Sequence, residues 1–119
     1  MIEPKLAEVF RSLSQAALEI AEVCDRDITE FAGVWHGIAR NARVLQVSKS
    51  LDLEDVKSFL GSIRWLFGYR PGSFVETYIP RDDFDEQVLE NKRFNALKER
   101  VYNAAADVQD MLKIDPTSY

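Results

Sequence analysis

An all-α fold, a four-helix and largely antiparallel bundle, follows from three features of this 119-residue chain. Apolar residues recur at three- and four-residue spacing over four long segments, the period of one helix face. Asp and Pro stand where those segments begin and stop. Only one short stretch, 74–79, has the aromatic and β-branched composition of an extended chain, and nothing else in the sequence offers to pair with it.

The first helix begins near Pro4, whose missing N–H has no partner to lose in a first turn. Leu6, Val9, Phe10, Leu13, Ala16, Ala17, Ile20 and Cys24 form its apolar stripe, with Glu8, Gln15, Glu19 and Glu22 opposite. Asp27 and Glu30 have the spacing of a reciprocal helix cap. They predict a second helix from about Ile28 to Val47, with Phe31, Trp35, Ile38, Ala42 and Leu45 facing the core. Gly33 and Gly37 lie one turn apart on another face. Each costs about 1 kcal/mol against Ala in a helix interior, so together they predict the close approach of a neighbouring backbone and a central place for this helix.

Asp52 and Asp55 can cap a third helix running to about Phe67, with Val56, Phe59, Leu60, Ile63, Leu66 and Phe67 inward and Trp65 on the other side. Gly68, Pro71 and Gly72 force a turn. Phe74–Ile79 then lies across the bundle as an ordered loop between helices three and four. From Asp82 or Asp83 a last helix is expected to reach about Ile114, stopped by Asp115-Pro116. Its stripe is Phe94, Leu97, Val101, Ala104, Ala105, Val108, Met111 and Leu112. Phe84 and Val88 point away from that stripe, which predicts a bend or a different neighbour for the start of the helix.

Apolar residues at 46% and charged residues at 29% are ordinary for a globular domain. A chain of this length makes one domain, residues 1–119, and buries roughly two-thirds of the surface its unfolded form exposes. Fifteen Lys and Arg against twenty Asp and Glu leave a net charge of -5, which repels nucleic acid unless the basic residues gather on one face, and they do not. One Cys and one His are too few for a closed zinc site, and no metal or cofactor is expected. No segment is apolar for long enough to span a membrane, and no leader pattern opens the chain, so the expected location is the cytoplasm.

Among candidate sites, Glu19/Glu22 and Asp52/Asp55 have the spacing of magnesium-holding carboxylate pairs in all-helical nucleotide pyrophosphatases. Glu19 and Glu22 sit on a solvated face and Asp52 suits a cap, and those are the preferred readings. Asp82, Asp83, Asp85 and Glu86 crowd a helix start, where negative charge is favoured without any cation. His36 is the one side chain with an ordinary pKa near neutrality, yet no nucleophile accompanies it. Cys24 reads as a core thiol. No catalytic residue is assigned.

The segment Arg64–Ile79 carries Trp65, Tyr69, Arg70, Phe74 and Tyr78, and aromatic side chains with arginine are enriched at the energetic centres of protein interfaces. These five are the candidate partner-binding residues. The competing role, which is preferred for Trp65 and Phe74, is to pack on each other and pin the loop to the bundle.

Gly72-Ser73-Phe74 after a helix ending Leu66-Phe67-Gly68, followed by the helix containing Phe94–Ala105, resembles a family of small bacterial helical proteins of uncharacterised activity. The likeness covers the C-terminal half. Where that family has Asn-Asp after its Gly-Ser-Phe, this chain has Val75-Glu76, which keeps an acid and loses the amide. The resemblance implies a bacterial source and an all-helical fold, and no activity. The expected function is a non-enzymatic protein-binding module, of the kind of an acidic immunity or adaptor protein. The alternatives are a small metal-dependent hydrolase using the helix-borne carboxylates, or a structural homodimer joined through the Gly33/Gly37 face or the last helix.

Overall fold

A computed structural model describes residues 2–68 and 72–119. Four helices carry the fold: α1 (Pro4–Asp27), α2 (Ala32–Val47), α3 (Leu53–Leu66) and α4 (Phe84–Met111). Successive helices run antiparallel, and α4 returns antiparallel along α1. The molecule measures 47 × 26 × 21 Å. No described helix is long and apolar enough to cross a membrane.

The helix at the centre is α1, not α2. Its buried face, Leu6, Phe10, Leu13, Ala16, Ala17, Ile20, Ala21 and Cys24, is wide and rich in small residues. Two helices can therefore lie close against it, α2 on one side and α4 on the other. The two glycines of α2 have a different setting from the one their sequence predicts. A Cβ built on Gly33 or Gly37 would meet nothing within 4 Å, so no backbone approaches there. It is the alanines of α1 that let its neighbours in.

The α1–α2 connection also departs from the predicted cap. Asp27 is the last residue of α1, Thr29–Phe31 form a 3-10 turn, and α2 starts at Ala32 without a side-chain cap. Asp27 is occupied elsewhere. Its two carboxylate oxygens accept from Arg81 Nη1 at 2.9 Å and Nη2 at 3.1 Å, a paired contact joining the end of α1 to the approach to α4. The caps of α3 and α4 are the predicted ones, with Asp52 accepting from Glu54 N at 2.8 Å and Asp83 from Asp85 N at 2.9 Å.

Between α3 and α4 the chain forms a 3-10 turn over Phe74–Glu76 and then runs extended. Asn91 substitutes for the missing neighbouring strand. Its Oδ1 accepts from Ile79 N at 2.7 Å and its Nδ2 donates to Ile79 O at 2.8 Å, so one α4 side chain satisfies both backbone groups of a loop residue. The far end of α4 closes three residues before the predicted stop. Lys113 adopts φ 53°, Lys113 N donates to Asp110 O and Ile114 N to Gln109 O. That pairing finishes a helix through one left-handed residue, a place usually taken by Gly. Pro116–Ser118 then turn back toward α3, with Asp115 accepting from Thr117 N at 2.9 Å.

Candidate protein-contact surface

Phe74 is 0% exposed, which corrects its assignment to a contact surface. Its ring meets Trp35 at 4.9 Å, Phe31 at 5.3 Å, Phe94 at 5.8 Å and Phe67 at 6.3 Å between centroids. The pinning role is real, but the indole that Phe74 packs on is Trp35 of α2. A loop held by an aromatic at the junction of three helices is part of the core.

Lys98 lies over this cluster, only 7% exposed, and is not among the residues that the sequence singles out. Its ammonium is 4.3 Å from the Phe94 ring centroid and 5.1 Å from that of Phe74, and it donates to Thr77 O at 2.9 Å. Burial pushes its pKa down to about 8, while the nearby Cys24 acts in the other direction. Burial likewise raises the Cys24 thiol to about 11, so the thiolate that nucleophilic chemistry needs is disfavoured. A signal for Lys98 was available. It stands four residues after Phe94 and three before Val101, on the apolar stripe.

The remaining predicted contact residues separate. Trp65 is 57% exposed on α3 and Tyr78 62% exposed on the loop. Tyr78 lines a hollow with Asp27, Glu30 and Ser73 at the end of α1. Tyr69 and Arg70 lie outside the described residues.

Next to Trp65 along α3, Arg64 borders a cavity of about 460 Å³ between α3 and α4, walled also by Leu60, Ile63, Phe67, Tyr102 and Tyr119. The cavity exists because α3 and α4 meet sparingly over this stretch and the C-terminal turn bridges them. Arg64 Nη1 donates to Pro116 O at 2.6 Å and to Tyr119 O at 3.3 Å, and its guanidinium lies 5.7 Å from the Tyr119 ring centroid. Tyr119 Oη donates to Gln109 Oε1 of α4 at 2.5 Å. Burial raises the Tyr119 phenol above its ordinary pKa, with Arg64 opposing. At the cavity mouth Tyr102 is exposed, its ring edge-on to Phe67 at 5.7 Å. Tyr102 and Tyr119 were not legible as neighbours of Arg64, because 38 and 55 residues of chain separate them in sequence.

Several of the acidic candidates take structural partners. Glu19 lies 3.8 Å from Arg100 across the α1–α4 groove, and Asp52 and Asp83 cap their helices. His36 Nε2 is 2.8 Å from Asp25 Oδ2, tying α2 to α1 at a partly exposed position. Among the described residues no group of three or more His, Cys, Asp or Glu side chains is placed to hold a metal ion. The chain matches no family model, and searches against curated proteins and solved structures find no significant match.

Proposed function

We propose that this protein is a non-enzymatic binding module that acts through protein contact at the aromatic mouth of the α3/α4 cavity. The observation that carries the reading is the exposure of Tyr102 at the mouth of a cavity bordered by Arg64 and Tyr119, whereas Trp65 is exposed on α3 away from the residues that line it. Trp, Tyr and Arg are the side chains that dominate interface energetics, because they bury much apolar surface and still offer a hydrogen bond at the rim. Arg64 is already held by the C-terminal turn, so its guanidinium is positioned before any partner arrives, which lowers the ordering cost of binding. The acidic balance of the chain favours a basic protein partner and disfavours nucleic acid. A bacterial, cytoplasmic setting and an immunity or adaptor role belong to the same proposal, as does the likeness to small bacterial helical proteins.

Capture from host lysate tests it, with wild type set against a Tyr102→Ala variant whose helicity is first checked by circular dichroism. A protein retained by wild type and lost by the folded variant supports the surface. A protein retained equally by both places the contact elsewhere, and no specific partner for either removes the proposal.

A further inference from the structure

The outer face of α4 over its first three turns is apolar and has no cover among the described residues. Phe84 is 74% exposed, and Val88 and Leu89 are about half exposed. The inner face of the same turns is fully engaged, with Asn91 on Ile79, Gln87 on Arg81 and Glu90 on Arg81. The start of α4 thus has the loop at Ile79 and Arg81 as its neighbour, while Phe84 and Val88 themselves face outward. Two charged residues share the exposed face, Asp85 and Lys92. Seven residues apart, they fall within about 20° of each other around the helix. Among the described residues neither makes an ion pair through its side chain.

The spacing is self-complementary. An antiparallel second copy of α4 related by a two-fold axis between Val88 and Leu89 brings position i opposite position 177 − i. Asp85 then faces Lys92 of the second copy, and Lys92 faces Asp85. The two Val88/Leu89 pairs meet at the axis. A parallel or shifted pairing puts like charges together or separates the apolar residues. We propose that this face is the seam of a symmetric homodimer, independent of the α3/α4 cavity. A two-fold interface must be complementary to itself, and one acid and one base placed symmetrically about an apolar pair satisfy that condition. The face from Asp85 to Ala96 is about 17 Å long at 1.5 Å per residue, and a helix is about 10 Å wide. It covers only a few hundred Å² per copy, below the roughly 800 Å² of a standard stable interface. The dimer is accordingly weak and reversible.

Sedimentation equilibrium up to about 1 mM protein tests the seam, with circular dichroism as the folding check. Wild type is expected to dimerise. Asp85→Lys alone and Lys92→Glu alone each place like charges opposite one another, and each is expected to weaken the dimer at least about tenfold. The two single variants mixed should pair with each other, because every facing pair is then of opposite charge, and the double variant should regain the wild-type constant. Lys92→Glu lies beyond the capped first turn, so its result stands if Asp85→Lys frays the helix. A wild type that stays monomeric throughout, or a dimer unaffected by Lys92→Glu, overturns the proposal.

Discussion

The buried ammonium of Lys98 makes the stability of this protein rise with pH where most proteins have passed their maximum. In the unfolded chain Lys98 titrates at about 10.5, and in the folded chain at about 8. Below pH 8 both states carry the proton, and the folded state bears the whole cost of a charge held among Phe74, Phe94 and Thr77 O. Between those two values the unfolded state binds more protons, so stability increases with pH. At 1.36 kcal/mol per pKa unit, the Lys98 contribution grows by about 1.3 kcal/mol from pH 7 to pH 9.

Cys24 works against it. Its thiol titrates at 9.0 unfolded and at about 11 folded, so above pH 9 the unfolded state loses a proton that the folded state keeps, and stability falls. The loss is about 0.4 kcal/mol at pH 9 and about 1.4 kcal/mol at pH 10. The sum is a gain of roughly 1 kcal/mol between pH 7 and 9, followed by a near plateau to pH 10. Urea unfolding followed by tryptophan fluorescence at half-unit pH steps measures the profile, since Trp35 moves from full burial to solvent. Lys98→Met keeps the length and removes the charge, so its stability should only decline over the same range. Raised Tyr119 titration enters both proteins alike and cancels in the difference. Parallel profiles for wild type and Lys98→Met from pH 7 to pH 10 would refute the assignment of a costly buried charge to Lys98.

Four further outcomes follow from the packing, the backbone and one ion pair. Phe74→Ala empties a site touched by four aromatic rings and should cost about 3–5 kcal/mol in urea unfolding, a large share of the 5–15 kcal/mol a domain usually has. Gly37→Ala in the interior of α2 should stabilise by about 0.5–1 kcal/mol, because the added methyl meets nothing. Lys113→Gly should also stabilise, by relieving a side chain held at φ 53°, and both show as raised melting temperatures. The Arg81 hydrogen bonds hold the Asp27 carboxyl below its ordinary pKa, so its contribution is present above about pH 4 and fades as acid protonates it in the folded state. Asp27→Asn should therefore lower the melting temperature at pH 7 and have a progressively smaller effect as the pH falls below about 4, which differential scanning calorimetry resolves.

The four helices were legible because each has a stripe that repeats locally, and a stripe is a property of neighbours in sequence. Asp52 and Asp83 were legible for the same reason, since a cap acts within two or three residues. The errors came where a local pattern had a distant competitor. Asp27 has the spacing of a cap, but a bidentate arginine 54 residues away takes its carboxylate, and α2 opens through a 3-10 turn instead. Gly33 and Gly37 look like a contact because glycine has two causes, close approach or tolerance at an exposed position, and spacing alone does not distinguish them.

Phe74 shows where the boundary lies between surface and core in this fold. A loop aromatic beside Tyr and Arg has the composition of an interface, and only the third dimension reveals that Trp35, Phe67 and Phe94 converge on the space it fills. Once Phe74 is inside, the loop must pass over α4 at Lys98, and the part-buried carbonyl of Thr77 needs a donor there. Lysine supplies one with a stem long enough to cross the rings, whereas an apolar residue on the same stripe would leave that carbonyl unpaired. The cost of burying Lys98 and the order of the loop are thus two sides of one contact. The loop in turn holds Arg81 where it reaches Asp27 and Glu90, so the segment leading into α4 joins the end of α1 to the start of α4.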